Sequence, residues 1–237
     1  MAEPRVLLLL GTNVYTIYAA LHFIRHMNVV GVIQQDNHFP FTVPNIFVDR
    51  GKLNDDVVLQ WARNTKPDIF VSYGPERIGK GLINMPEFGG INVHWGMSPM
   101  YRGMYTSRWA LLEGFPECVA VTLHMVDSEL DTGDILYQTR PKMKPGDTYQ
   151  SIEHRLSLLA SAAMPSLVID VCNKAIVPVV QDRTVGRQYM ASEWTDMQEK
   201  ELTAQFIEGL LKTYLPNKEE RDKCIPLINP LRRANSV

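Results

Sequence analysis

The chain has 237 residues, enough for one sizeable domain or a domain with a short C-terminal appendage. Its 24 Lys and Arg against 26 Asp and Glu leave a net charge of -2, so no overall field holds a polyanion and nucleic acid is disfavoured as the main partner. The 45% hydrophobic and 21% charged fractions are those of an ordinary globular protein, and three scattered cysteines (Cys118, Cys172, Cys224) point to reduced thiols and a cytoplasmic setting rather than a disulfide framework or zinc cluster.

No apolar run approaches the roughly 18 residues of a membrane span. The first such run, Val6 to Leu10, is closed by Gly11-Thr12-Asn13, too early for a signal peptide, and reads as a buried parallel strand. Tyr15 to His26 follows as a helix, with Ile17, Ala20, Leu21 and Ile24 at helical spacing. Val29 to Ile33 is a second strand. Asp36-Asn37-His38 is a turn, and Pro40 and Pro44 keep the next stretch irregular. Asn54 is positioned to cap a helix running to about Asn64. Asp68 to Ser72 and Gly90 to His94 read as two more strands, Thr106 to Glu113 as a helix, and Val119 to Met125 and Ile135 to Thr139 as strands joined through Asp131-Thr132-Gly133-Asp134. Asp147 is positioned to cap a long helix ending near Cys172. Beyond Gly186 the texture changes: Trp194 to Leu211 is a charged amphipathic helix, suited to a dimer contact or to packing on the parent domain, and Leu227 to Val237 is a loose tail. Strands alternating with helices predict an α/β fold built on an open, mostly parallel twisted sheet with flanking helices. The division expected is residues 1–185 and a C-terminal extension, 186–237.

In such sheets ligands gather beyond the carboxyl ends of the strands. The segments ending there are Gly11-Thr12-Asn13, Tyr73 to Arg77, and Gly90 to Gly103. Asn92 and His94 are two apart on a strand and share a face. An amide donates permanently, and an imidazole donates or accepts according to its proton. Side by side they suit acyl transfer, where an oxyanion is stabilised and a proton moved. A carboxylate at Asp131 would fix the imidazole and raise its pKa. His124, inside an alternating strand, reads as a core or surface histidine. A single glycine, Gly11, in the first turn weighs against a dinucleotide fingerprint, and Pro99 directly after Ser98 removes the turn a nucleophile elbow needs. A non-catalytic nucleotide-binding protein is a further reading.

The ordered blocks Asn92-x-His94, Ser98-Pro99, Tyr101-Arg102-Gly103 and Leu130 to Ile135 together resemble the formyltransferase family that uses N10-formyltetrahydrofolate. The likeness is firm from about Asp68 to Gln138. It implies that Asn92 donates to the formyl oxygen, that His94 stabilises the oxyanion and carries protons, and that Asp131 orients His94, with no metal required. It also implies a folate site at Glu76, Arg77 and Ile78 on one side and at Leu130, Thr132, Gly133 and Asp134 on the other. The acceptor would be a primary amine held by Asn13, Trp95, Met97, Ser98, Pro99, Tyr101, Arg102, Gly103 and Tyr105. Purine and tRNA enzymes of this family typically follow the histidine with Pro-Ser-Leu-Leu-Pro, where this chain has Trp95-Gly96-Met97-Ser98-Pro99. That variant, with the short C-terminal segment, is most similar to the sugar N-formyltransferases. It implies a nucleotide-linked 4-amino-4,6-dideoxyhexose as substrate and a homodimer, with glycinamide ribonucleotide as the alternative acceptor.

Overall fold

The computed structural model describes residues 2–36 and 38–230. In chain order the strands are β1 (Arg5–Leu10), β2 (Asn28–Gln35), β3 (Asn45–Val48), β4 (Ile69–Tyr73), β5 (Gly90–His94), β6 (Tyr101–Gly103), β7 (Val121–Met125), β8 (Ile135–Thr139) and β9 (Arg187–Tyr189). The helices are α1 (Val14–His26), α2 (Asp56–Asn64), α3 (Lys80–Ile83), α4 (Thr106–Leu112), α5 (Tyr149–Cys172), α6 (Asp196–Glu208), α7 (Leu210–Tyr214) and α8 (Lys218–Cys224).

Seven strands form one sheet in the order β3-β2-β1-β4-β5-β7-β8. The first five in that order run parallel, whereas β7 is antiparallel to both β5 and β8. The apolar run at β1 is continuous because both its faces are covered. Val6, Leu8 and Leu10 pack into one core with Phe23, Ile91 and Leu156, and Leu7 and Leu9 into another with Ile33, Phe70 and Leu82. Because β1 is the strand between β2 and β4, the winding reverses beside it and a crevice opens at its carboxyl end. Gly11 turns the chain there: a Cβ on it would lie 1.7 Å from the carbonyl oxygen of Gly74, so only glycine permits the close approach of the two loops.

Several local expectations shift. Asn54 does not cap α2. Its amide donates to the Arg77 carbonyl (2.9 Å) and accepts from the Gly79 N–H (2.6 Å), tying two loops together, and Asp55 stands at the cap position. Thr148, not Asp147, caps α5, in a reciprocal box with Ser151. Asp147 is held instead by the Lys144 N–H and by Arg155. The stretch called irregular after Pro40 contains β3, a four-residue edge strand too short to declare a period. The 24-residue α5 is long and apolar enough to cross a membrane by length and composition. In this fold it is a core helix, with Ile152, Leu156, Ala160 and Met164 all 0% exposed.

The amphipathic stretch from Trp194 breaks at Gly209, whose left-handed φ of 103° ends α6 before α7 begins. This segment lies against the residues before it. β9 pairs with β6, Tyr189 stacks on Tyr101 and Trp109, and Leu202 on α6 is fully buried. Asn37 of the expected turn, and residues 231–237 of the expected tail, lie outside the described residues.

Candidate active site

A cavity of about 340 Å³ opens at the carboxyl ends of β1, β4 and β5. Thr12 and Asn13 line one side, where Asn13 caps α1 by accepting from the Tyr15 N–H at 2.9 Å. The loops from Gly74 to Ile78 and from Asp127 to Asp131 also line it, joined where Arg77 donates to the Ser128 carbonyl, and Tyr105, Arg108 and Glu153 complete the lining. Asn92 and His94 reach the floor from β5, as their two-residue spacing requires.

Asp131 completes this floor. Its loop folds tightly onto β7: a Cβ at Gly133 would lie 1.7 Å from the Met125 carbonyl oxygen, and the Gln181 amide donates to the carbonyls of Asp131 (3.2 Å) and Gly133 (2.5 Å). Asp131 itself takes a left-handed φ of 54°, an uncommon conformation for a non-glycine residue that asparagine and aspartate tolerate best. Its carboxylate is thereby aimed at four groups. Oδ2 accepts from the Gly103 N–H at 2.9 Å and faces His94 Nδ1 at 3.3 Å. Oδ1 accepts from Asn92 Nδ2 at 3.1 Å and faces His124 Nε2 at 3.4 Å.

Burial alone would raise the Asp131 pKa, but the positive charge that His94 and His124 carry when protonated, with the Gly103 N–H, brings it down to about 2, so the carboxylate is charged at neutral pH. Burial pushes His94 below the ordinary histidine value, against the opposing pull of Asp131 and the Tyr101 carbonyl. The ring is therefore neutral at neutral pH. Its Nε2 lies 2.7 Å from the Tyr101 carbonyl oxygen, which only accepts, so the hydrogen of the neutral ring is on Nε2. The Nδ1 lone pair is left facing a carboxylate. A proton arriving there is shared between ring and carboxylate, so His94 and Asp131 can hold a proton as one unit.

The structure thus brings Asn92, His94 and Asp131 together. It places Glu76, Arg77, Ile78 and Leu130 in the cavity lining, together with Asn13, Trp95, Gly103 and Tyr105. The Glu76 carboxylate braces the turn before α2 by accepting from Gly51 N (2.6 Å) and Leu53 N (2.9 Å), and Arg77 spans the mouth to the Ser128 carbonyl (2.8 Å). Thr132, Gly133 and Asp134 stand behind the wall: Thr132 bonds Asp127, and the Asp134 carbonyl accepts from Met125 N. Met97, Ser98, Pro99, Tyr101 and Arg102 do not line the cavity. Most of their polar groups are engaged elsewhere, whereas Ser98 Oγ and Arg102 Nε are buried without a hydrogen-bond partner among the described residues. The Ser98 carbonyl accepts from Gln138, the Tyr101 hydroxyl donates to Glu113, and Arg102 donates to the carbonyls of Pro99 and Val185.

The lining also holds residues outside the expected site, among them Arg108, Glu153 and His124, the last read from the sequence as a core or surface histidine. His124 sits directly opposite Asn92 in the β5–β7 register. Arg108 and Glu153 form a two-point pair (2.7 and 3.1 Å), and Glu199 of α6 adds a third bond to Arg108 at 3.2 Å. Burial works against the Arg108 charge, but the Glu153 carboxylate more than offsets it. Among the described residues no group of three or more His, Cys, Asp or Glu is arranged to hold a metal ion.

The family profile described as Formyl transferase matches residues 13–168, more than half the chain. Methionyl-tRNA formyltransferase of Anaeromyxobacter dehalogenans is 36% identical over 132 residues, covering 55% of this chain and 42% of that protein. The chain thus spans less than half the length of that relative. Among solved structures, phosphoribosylglycinamide formyltransferase of Anaplasma phagocytophilum shares the fold with a TM-score of 0.63 at 21% identity, over 80% of this chain and 100% of that one. The N-formyltransferase of Helicobacter canadensis, solved with folinic acid and dTDP-3-aminofucose, gives 0.61 at 20% identity, over 82% and 73%.

Proposed function

This chain belongs to the formyl transferase family, and from that premise we propose that it carries a formyl group from N10-formyltetrahydrofolate to the primary amine of a nucleotide-linked amino sugar of the 4-amino-4,6-dideoxyhexose type. The observation that carries the transfer is the floor of the cavity, where the His94 imidazole stands with Nδ1 3.3 Å from the charged Asp131 carboxylate, and the Asn92 carboxamide bonds the other oxygen of that carboxylate.

The walls fit a folate. Ile78, Val126 and Leu130 give an apolar slot for a flat ring, and the backbone of the 127–131 loop supplies polar groups for the ring edge. Leu130 remains 39% exposed, an apolar side chain free to be covered. When bound, the folate supplies the formyl carbon. The protein's part is to take the proton that the amine sheds onto the His94–Asp131 pair, with Asp131 stabilising the imidazolium, and to return it to the nitrogen that loses the formyl group, so that tetrahydrofolate leaves neutral at that atom. Residues 1–185 carry this chemistry, and the segment from 186 steadies Arg108 and Tyr105 through Glu199 and Trp194.

For the acceptor, the far end of the cavity offers Tyr105 and Trp95 as flat surfaces, with Asn13 and Thr12 at the start of α1. The cavity lining sets Glu76, Asp127, Glu129 and Glu153 against Arg77 and Arg108, and so lacks the basic surface that RNA phosphates require. The Helicobacter canadensis neighbour was solved with a nucleotide-linked 3-amino sugar, which supports an amino sugar nucleotide as the acceptor without bearing on the 4-amino position.

The deciding experiment supplies N10-formyltetrahydrofolate with amines from three classes: dTDP- and UDP-linked 4-amino sugars, glycinamide ribonucleotide, and methionyl-tRNA. Tetrahydrofolate release is followed by absorbance. Release with an amino sugar nucleotide alone is expected. Release only with one of the other two overturns the acceptor, and release with none overturns the transfer.

A further inference from the structure

The loop that carries Asp131 is held by a segment past the residues that the family profile matches, 13–168. Val179 exchanges two backbone hydrogen bonds with Ile135, at 2.8 and 2.9 Å. Two residues on, the Gln181 amide donates to the carbonyls of Gly133 (2.5 Å) and Asp131 (3.2 Å). Two further on, Arg183 pairs with Glu129 (3.1 Å) and Asp127 (2.8 Å). The contacts advance by twos along both segments and in opposite directions, as in an extended antiparallel pair. Residues 179–183 are thus a strap laid along residues 127–135. Its outer contact is half-exposed and contributes little to stability. Its middle contact is buried, with Gln181 4% exposed.

The Gln181 carboxamide has one orientation open to it. Both partners are carbonyl oxygens, which only accept, so the NH2 group faces them and its two hydrogens answer two carbonyls. Oε1 is buried with no hydrogen-bond partner among the described residues. A residue needed only to fill space would be apolar and free of that cost, so the position calls for the donors. We propose that Gln181 is a positioning residue for Asp131: its two N–H groups fix the Asp131–Thr132 and Gly133–Asp134 peptide planes, and with them the direction in which the Asp131 carboxylate leaves the backbone. Asp131 holds a left-handed φ of 54°, a conformation that persists only where the surroundings over-determine it. Its carboxylate must meet Gly103 N at 2.9 Å, Asn92 Nδ2 at 3.1 Å and His94 Nδ1 at 3.3 Å at once. A loop displaced by about 1 Å carries these contacts past hydrogen-bond reach and slows the reaction by up to ~10²-fold. Gln181 does not line the cavity, and it acts through the backbone of Asp131 alone.

The geometry is tested without any substrate. Gln181→Met keeps the length of the side chain and removes both donors, whereas Gln181→Asn keeps the amide but is one methylene too short to span both carbonyls. The reporter is the Gly103 N–H, followed by 1H–15N NMR in the free protein, because its bond to the Asp131 carboxylate pulls the resonance downfield. In Gln181→Met the resonance moves upfield, and in Gln181→Asn it moves the same way by less. Arg183→Gln, which cuts only the exposed ion pairs, leaves it in place. A Gly103 resonance unmoved in folded Gln181→Met, or moved as far by Arg183→Gln, overturns the proposal whatever the substrate proves to be. The same two outcomes are read from Gln181→Asn if Gln181→Met does not fold. The kinetic arm rests on the proposed transfer and uses the acceptor that the amine panel identifies. Gln181→Met lowers kcat ~10- to 10²-fold. KM stays within about twofold, because Gln181 does not touch the cavity. A loss of stability with native kcat, or a raised KM with kcat unchanged, makes Gln181 a structural residue only and overturns the proposal. If no amine in the panel is formylated, the transfer falls while the Gly103 shift still decides whether Gln181 positions Asp131.

Discussion

Replacing Asp131 by asparagine changes one atom and removes one charge, and its effect on stability can be worked from the structure. The carboxylate is held at about 2 in the folded protein, against 3.8 for the unperturbed group. At about 1.4 kcal/mol per pKa unit the charged form contributes at most about 2 kcal/mol to folding, and less than that at pH 7, where the His94 ring that helps depress the value is neutral. The folded value is depressed, so this contribution is complete above the unfolded value and is lost as pH falls from there through the folded one. About half of it is gone by pH 3. Asparagine also places an NH2 group against one of two existing donors, the Gly103 N–H or the Asn92 amide, so one hydrogen bond is lost whichever way it turns. That adds about 1 kcal/mol. Urea unfolding at pH 7 should therefore show Asp131→Asn less stable by about 1–3 kcal/mol, with the gap narrowing as the native protein is acidified through the folded value. Equal stability at pH 7, or a variant that loses stability with acid as steeply as the native protein, would refute the charge assignment. In turnover assays the same variant should lose about 10²- to 10⁴-fold in kcat, since the His94 imidazolium loses its counter-charge.

The remaining predictions follow from single contacts. Because burial lowers the His94 pKa, the ring stays neutral as pH falls past 6.5, and the acid limb of kcat should lie below that value. A limb at or above it would contradict the assignment, and His94→Ala should abolish the limb together with most of the activity while circular dichroism stays native. Gly11→Ala drives a Cβ into a backbone carbonyl 1.7 Å away, so a loss of more than about 4 kcal/mol, seen as a collapsed Tm or insoluble protein, is expected. Leu202→Ala removes a fully buried side chain of α6 and should cost about 2–5 kcal/mol. Limited proteolysis should then cut first after Gly186, leaving the larger sheet intact.

The sheet was legible because its strands are buried on both faces and so spell continuous apolar runs bounded by glycine or turn residues. Gly90–His94 and Ile135–Thr139 match their expected limits. Elements of three or four residues, β3, β6 and β9, carry too few side chains to show a period and emerge only from their pairing. Capping residues were misjudged where a tertiary contact outbid the local one, as when Asn54 bonds Arg77 and Gly79 rather than its own helix.

In the site, the legible residues are those whose placement follows from local geometry. Asn92 and His94 share a face because a strand alternates, and Asn13 caps a helix where a strand ends. The stretch from Met97 to Arg102 follows His94 directly in the chain, yet its side chains turn away from the cavity, because proximity in sequence fixes direction only while the strand lasts. His124 illustrates the converse. It is 32 residues from Asn92 and sits in a strand whose alternation says only that one face is buried. What gives it a role is the return of β7 antiparallel to β5, in the one register that sets its ring opposite Asn92 and within reach of Asp131. A slip of one residue would turn His124 to the other face and bring Leu123 or Met125 opposite Asn92. The reaction centre is therefore held as much by that pairing as by the three residues recognised in the sequence. Any change that loosens the β5–β7 register should release the Asn92 amide before it disturbs the fold.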